Sequence, residues 1–398
     1  MADETPAAYT LPTALEHPFD PNAGLARLRD TEPVARLAYP DGHLGWLVTK
    51  PSIARKVLTD PRFSARRELL HAPVEPPDPL PPGPARPGWM SGMDPPEHTG
   101  YRELVTAQFS IRRLTRLEPP ATESAESLLD EIELAGPPAD LVEAYALPIP
   151  PLVIGELLGV PERERDEVRS RTQALTRPTT GTDQAVEIVR ALREYVHRLV
   201  GRKRAHPGDD VLSGLAAGGR LTDEELANIG TLLLVTGHET TARMIAHGVF
   251  ALLCHPAQLE KVKADPASAD RAVEELIRYL AVVEAGVSRA ALEDVELEGR
   301  PIKKGETVTV WISAANRDPE VFEDPDVLNL ERTASGHLSF GYGIHECVGQ
   351  QLARLELRVA YSCLFNRFPS LRLAVPAGEV PLRAGVAVHM IESLPVTW

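Results

Sequence analysis

The chain has 398 residues, with 42 Lys and Arg against 57 Asp and Glu and a formal net charge of −15. Hydrophobic residues make up 43% and charged residues 25%, the proportions of a globular chain rather than a disordered one. That acidic balance argues against non-specific binding to nucleic acid or anionic membranes; three cysteines without a C-x-x-C pair argue against a zinc cluster or a disulfide framework.

The N-terminus, Met-Ala-Asp-Glu, has neither the basic nor the apolar region of a secretory signal. A cytoplasmic protein is expected, with Cys254 and Cys363 as reduced, buried thiols. Residues 1–70 mix extended pieces such as 45–48 with helical ones such as 53–58. Between 71 and 96 stand Pro73, Pro76, Pro77, Pro79, Pro81, Pro82, Pro84 and Pro87, which predict a long irregular loop. Such a loop in a compact chain is functional or disordered.

From 101 to about 264 the pattern is helical. Thr222 and Glu225 form a capping-box signature, and the helix it opens runs to Cys254, ahead of His255-Pro256. At ~1.5 Å per residue this is a rod of roughly 45–50 Å. Apolar on most faces, it belongs in the core. His238, Glu239, Arg243 and His247 break its most apolar stretch and exclude a lipid-facing span.

A second helix is predicted over 270–280. Strand-like runs follow between Val287 and Ile312, with 295–300 and Lys304-Gly305 as turns. After an Asp- and Pro-rich loop (318–325) and the glycine-rich 340–349, a helix from about 348 to 365 precedes a strand-rich tail. With no internal repeat and no dividing linker, one domain over 1–398 is expected. Its parts are a β-rich stretch of about 1–70, a helical part of about 97–285 and the loop 340–349, a mainly α fold with small β-sheets (α+β).

Phe340-Gly-Tyr-Gly-Ile-His-Glu-Cys-Val-Gly349 carries the strongest chemical signal. Its three glycines let the backbone turn tightly around Cys347 and approach something flat, although glycines alone also suit an ordinary turn. The following helix aims its free amides and positive end at Cys347 and favours thiolate. One thiolate at a helix start is what the proximal side of an iron porphyrin needs. Glu275 and Arg278, three apart, share a helical face and pair; alone they would read as a surface ion pair.

Thr236-Gly-His-Glu-Thr-Thr241 is unusual inside a buried helix, where glycine costs ~1 kcal/mol relative to alanine. Hydroxyls there can bond the carbonyl four residues back and open a kink. The plainer alternative is an acid satisfied by neighbouring hydroxyls. His98 and Arg102, after Met93-Asp-Pro-Pro-Glu, lie four apart at a helix start and can face one way.

Together these segments resemble the cytochrome P-450 family. The bacterial haem signature F-G-x-G-x-H-x-C-x-G agrees at Phe340, Gly341, Gly343, His345, Cys347 and Gly349. The similarity runs from about 90 to 370, with the motifs in the family's order, and 279–289 is similar to actinobacterial members. The resemblance implies a helix-rich prism holding haem b between the long central helix and the Cys347 loop, with Cys347 as the axial ligand of the iron. It implies that Glu275 and Arg278 lock the loop before the cysteine, onto Asn316-Arg-Asp-Pro319 and Asp324-Pro-Asp326 through Arg332. It gives Thr240 and Glu239 the oxygen groove and the proton relay, and assigns His98, Arg102, Arg289 and His345 to the two propionates. Thr236 departs from the alanine or glycine usual at its position.

The implied activity is a haem-thiolate monooxygenase that activates O2 and hydroxylates or epoxidises a hydrophobic small molecule, such as a polyketide, sterol-like compound or xenobiotic. Electrons would come from ferredoxin and ferredoxin reductase, docking near Arg112, Arg113, Arg116 and Arg354. The distal pocket is expected from the proline-rich loop, 175–182, 233–236, 282–287 and 386–389. Leu233, Thr236, Val283, Val287, Val388 and His389 are its candidate contacts. A peroxygenase or oxidative-coupling enzyme on the same fold is the alternative, against which Glu239-Thr240 counts. A non-catalytic haem sensor is remoter, since both Cys347 and Thr240 are present.

Overall fold

The computed structural model describes residues 8–11, 19, 23–74, 83–176, 180–264, 269–283, 287–383 and 390–398. Helix α1 (Ala23–Thr31) leads to β1 (Val34–Ala38), β2 (Leu44–Val48), α2 (Pro51–Thr59) and β3 (Phe63–Ser64). Pro51 stands at the start of α2, where its missing amide costs nothing. Then come α3 (Glu97–Thr106), α4 (Ile111–Ala135), β4 (Ala139–Asp140), a π-turn (Val142–Ala146), α5 (Ile149–Leu158) and α6 (Glu162–Thr176). They are followed by α7 (Thr182–Ala205), α8 (Val211–Ala217), α9 (Asp223–Cys254), α10 (Pro256–Ala264) and α11 (Ala269–Leu280).

The strands β5 (Val287–Ala291), β6 (Val295–Leu297), β7 (Arg300–Ile302) and β8 (Thr307–Val310) precede α12 (Ile312–Ala315). Helix α13 (Gln350–Arg367) and the short β9 (Arg372–Leu373), β10 (Leu382–Arg383), β11 (Met390–Ile391) and β12 (Pro395–Thr397) complete the order.

The largest sheet runs β1-β2-β8-β5-β3, with β2 and β8 parallel and the other neighbours antiparallel. Its register sets Arg289 opposite Val308, in the middle of the β5–β8 pairing. The main core lies among the helices. There α9 is buried along most of its length and packs against α7, α5 and α13. Its capping box is present: Thr222 Oγ1 accepts from Glu225 N–H, and Glu225 Oε2 accepts from Thr222 N–H.

Two glycines let the neighbours of α9 approach. A Cβ on Gly230 would stand 2.7 Å from Val196 Cγ1, and one on Gly248 would stand 2.0 Å from Tyr361 Oη. Tyr361 uses that closeness to donate to Met244 O at 2.6 Å. No described helix is long and apolar enough to cross a membrane.

Two expectations need correcting. The segment 295–300 is a hairpin rather than a turn: Val295 pairs with Ile302 and Leu297 with Arg300, leaving Glu298 and Gly299 at positive φ to reverse the chain. Buried Val295 and Leu297 flank exposed Glu296, an alternation too short to stand out in the sequence. The helix expected from 348 begins at Gln350, leaving Cys347 and Val348 on the loop. Helix α9 runs as one element through 236–241, where Thr236, Thr240 and Thr241 each bond back to the carbonyl four residues earlier. Of the proline-rich segment, 71–74 and 83–96 are described; there the only helical piece is a 3-10 turn at Met90–Gly92.

Candidate haem-binding site

A cavity of about 320 Å3 lies between α9 and the cysteine loop with the start of α13. Helix α9 contributes Leu233, Thr236, Gly237, Thr240, Thr241 and Met244 to it; the loop contributes Phe340, Gly341, His345, Cys347 and Gly349. Val283 and Val287 also line it, whereas Leu175 and residues 180–182 do not. Val388, His389 and residues 177–179 lie outside the described residues.

The loop is shaped by its glycines. Gly341 and Gly343 have φ of 75° and 76°, and a Cβ on Gly343 would come within 2.8 Å of Leu58 O. Glycine is therefore required there. The turn closes where Cys347 N–H donates to Phe340 O at 2.8 Å. Cys347 is open on its cavity side and walled by protein elsewhere. Burial pushes its thiol up; the Gly349 amide bonded to the sulfur, and then the Arg102 charge, pull it back. The other two thiols have no such counterweight first in line: burial raises Cys254, and burial with Glu126 raises Cys363 to about 12.

Two arginines and two histidines gather on one side of the loop. The His98 and His345 rings lie 4.0 Å apart, inclined by 43°. His98 is buried and its Nδ1 has no hydrogen-bond partner among the described residues. Arg102 donates to Glu346 O at 2.5 Å and to Thr106 Oγ1 at 3.1 Å; buried Arg289 donates to Ser288 O at 2.9 Å. Burial, then the charges of Arg289, His98 and Arg102, press His345 down to about 3. Burial lowers Arg289 to about 10, opposed only by Asp94, and also lowers His98. Asp94 itself is occupied by Ser64 Oγ at 2.5 Å and Ala65 N–H at 2.8 Å.

Two arginine charges beside neutral imidazoles, one with an orphaned ring nitrogen, suit a ligand that brings its own carboxylates. Gly237 adds to the fit: a Cβ there would find its nearest protein atom at 3.4 Å, so protein contact does not demand a glycine. The donor set and the cradle fit haem.

Above the sulfur, Thr236 Oγ1 donates to Leu232 O at 2.8 Å, while Thr240 and Thr241 make longer bonds of 3.3 Å to Thr236 O and Gly237 O. Glu239 stands off the cavity and pairs with Arg243, one turn along α9. His238 is buried, with Nε2 unpartnered among the described residues; burial, then Arg243, lowers it to about 4.

Behind the loop, Arg278 and Glu275 are fully buried and bidentate, at 2.7 and 2.8 Å. Arg278 Nη1 also donates to Asn316 O at 2.9 Å and Pro325 O at 3.0 Å; Glu275 Oε1 accepts from Asn329 N–H and Arg332 Nε, both at 3.1 Å. Asn316 carries the support forward, accepting from Leu338 N–H at 2.7 Å and donating to Ser339 Oγ at 2.8 Å. Ser339 lines the cavity.

A second clamp was not expected from the sequence. Glu274 takes two bonds from Arg354, at 2.7 and 2.9 Å, and one from His337 at 3.0 Å. The Arg354 guanidinium lies 4.5 Å over the Phe340 ring. Arg354 is thus structural rather than a free docking cation. Arg113 and Arg116 likewise share Asp209, while Arg112 is exposed. The tandem Glu274-Glu275 was the available signal: one acid turns to each arginine.

An open cysteine beneath a long helix, with cations gathered for a carboxylate-bearing group, describes a haem-thiolate oxygenase. The family model for Cytochrome P-450 matches residues 197–374. Cytochrome P-450 105C1 of a Streptomyces species is 48% identical over 393 residues, covering 98% of this chain and 99% of the relative. Vitamin D3 dihydroxylase of Streptomyces griseolus is 40% identical over 99% of this chain and 98% of its own length. Nocardicin C N-oxygenase of Nocardia uniformis is 42% identical over 96% of each.

A crystal structure of a CYP105P1 mutant superposes with a TM-score of 0.92 at 38% identity, over 98% of this chain and 100% of that one. The chain belongs to the cytochrome P-450 family, whose members are haem-iron monooxygenases.

Proposed function

We propose that this protein holds haem b with Cys347 as the axial ligand of the iron and inserts one atom of O2 into a hydrophobic small molecule. One observation carries the reading. A single cysteine, opened by Gly341 and Gly343, faces a cavity beside His98, Arg102, Arg289 and His345. When bound, the haem supplies the oxidising chemistry, with a thiolate ligand that favours O–O cleavage.

The chain's own groups do the rest. His98, Arg102, Arg289 and His345 bind the two propionates, the arginines by charge-assisted hydrogen bonds and the imidazoles as ring N–H donors. Thr240 Oγ1 holds its back-bond at 3.3 Å, longer than the usual ~2.7–2.8 Å for such bonds, and so keeps a proton free to turn into the cavity. Glu239, paired with Arg243, is the acid beside it. Leu233, Val283 and Val287 exclude water and receive apolar substrate, and Thr236 offers a polar contact.

The relatives named for vitamin D3 and nocardicin C support a small-molecule substrate. Ferredoxin and its reductase are the proposed cytoplasmic electron donors, docking near exposed Arg112.

The test is spectral. Haem-loaded protein, reduced under carbon monoxide, is expected to give the thiolate-type band, and Cys347→Ser is expected to lose it while keeping its far-ultraviolet dichroism. A wild-type chain that takes up no haem, or a Ser variant with an unchanged band, overturns the reading. Shifts in the resting spectrum with a panel of hydrophobic ligands then define the substrate class. Peroxide-driven turnover equal to that with redox partners would favour the peroxygenase alternative.

A further inference from the structure

Two histidines meet where the turn between β1 and β2 touches the start of the proline-rich segment. The His43 and His71 rings are stacked face to face, 3.6 Å between centroids and 1° from parallel. Tyr39 meets both edge-on, at 5.3 and 6.2 Å. His71 Nδ1 lies 2.6 Å from Asp41 Oδ2, and Asp41 Oδ1 accepts from His43 N–H at 3.0 Å. Parallel stacked rings cannot aim two lone pairs at one ion, and among the described residues no group of three such side chains could hold a metal.

Thr307, the first residue of β8, joins these groups. Its N–H donates to His43 Nε2 at 3.1 Å, its Oγ1 accepts from His71 N–H at 3.2 Å, and its carbonyl accepts from Tyr39 Oη at 3.3 Å. To accept that bond, Nε2 of His43 must carry no proton, so the ring is the neutral Nδ1–H tautomer. The surrounding charges agree. Burial first, then His71, hold His43 below its ordinary 6.5; Asp41 and Glu306 act the other way, and Arg36 lowers it further. Glu306 is itself engaged by Arg36 Nη1 and Trp46 Nε1, both at 2.7 Å. Burial would raise Asp41, but the bonds and charges of His71 and His43 outweigh it and keep it below 3.8, a carboxylate while His43 titrates.

The far end of the segment is held without a titrating group. Asn228 Nδ2 donates to Pro87 O at 2.8 Å, and its Oδ1 accepts from Arg193 Nε at 2.7 Å. An amide keeps these bonds at any ordinary pH.

We infer that His43 and His71 form a proton-sensitive clasp, which ties residues 71–74 to the start of β8 and lets go when His43 takes a proton. A proton on Nε2 removes the acceptor of the Thr307 N–H and sets a cation against the face of His71, whose Nδ1 already shares a proton with Asp41. β8 then loses a bond one residue before Val308, the partner of Arg289. The fold favours the neutral ring. The clasp is therefore complete above 6.5 and is lost as pH falls below it. It is independent of what the cavity holds.

Hydrogen exchange on the full chain tests it, compared at about pH 7.5 and about pH 5 with the intrinsic pH dependence divided out. Protection at 70–74 and at the Thr307 amide should fall roughly fivefold on acidification, the scale of one hydrogen bond lost. Protection at 87–92, held by Asn228, should not change. The fall should share its midpoint with the His43 ring, followed by its proton resonances. His43→Gln, whose side-chain oxygen can accept the Thr307 N–H at either pH, should keep its protection at acid pH.

Equal protection at both pH values, a midpoint other than that of His43, or the same fall in His43→Gln overturns the inference. A loss shared by 87–92 would be general acid unfolding and overturns it too. If His43→Gln does not fold, the wild-type midpoint and the contrast between 70–74 and 87–92 decide.

Discussion

A guanidinium with no exposed surface has to be answered atom by atom, and Arg278 shows how. Its Nε and Nη2 take the two oxygens of Glu275, and its Nη1 takes two carbonyls. Breaking a buried pair by removing one charge costs about 3–5 kcal/mol, because the other charge stays buried and uncompensated. Glu275→Gln should therefore lower the stability of the folded chain by about that amount and reduce its haem occupancy, as measured by denaturant unfolding and by haem absorbance per chain. An unchanged midpoint would show that the carbonyls alone satisfy Arg278.

At this scale the sequence motifs pointed to Cys347, His98, Arg102, Arg289 and His345; Cys347, Arg289 and His345 line the cavity, while His98 and Arg102 line a separate pocket, with the His98 ring 4.0 Å from that of His345. They could not show where Glu239 turns. Arg243, four residues along the same helix, is a local competitor for its carboxylate, and a motif that stops at Thr241 leaves it out. Nor could spacing reveal Arg354 reaching Glu274, a partner 80 positions away in the chain.

Elements were legible where their signals are local. The capping box of α9 lies within four residues and reads directly from Thr222 and Glu225. The β6–β7 hairpin has three-residue strands whose pairing, not their composition, makes them strands. The junction of α11 and α13 is likewise invisible locally, and it carries a pH signature. Burial alone would raise the Glu274 carboxyl, but Arg354 and His337 outweigh it and hold it at about 2, below its ordinary 4.5.

A depressed carboxylate stabilises the fold above its unfolded value and loses that contribution as pH falls toward the folded one. Glu274→Gln should therefore be less stable than the parent at pH 7, by about 1–2 kcal/mol once partial exposure is discounted. The gap should narrow as pH falls from 4.5 to about 2. Paired urea unfolding curves at neutral and acid pH check this, and a gap that widens on acidification would contradict the assignment.

Across the whole molecule, the groups assigned to the haem come from distant stretches: His98 and Arg102 on α3, Thr240 on α9, Arg289 on β5 and Cys347 on its loop. The fold holds them together through the Glu275–Arg278 and Glu274–Arg354 clamps and the five-stranded sheet, yet the charges of Arg102 and Arg289 both act against a proton on His345. A bound group whose carboxylates meet them ties these elements to each other, whereas α5, α7 and α9 are already joined by apolar packing.

Ligand binding to the folded state alone adds about 4 kcal/mol when free ligand is a thousandfold above its dissociation constant. Stripping the haem should thus lower the unfolding midpoint. The loss of hydrogen-exchange protection should concentrate at 97–106, 287–291 and 340–349, while α5, α7 and the first half of α9 stay protected. Uniform loosening, or none at those three stretches, would mean that the cations are held by the protein alone and that the cofactor adds nothing to their arrangement.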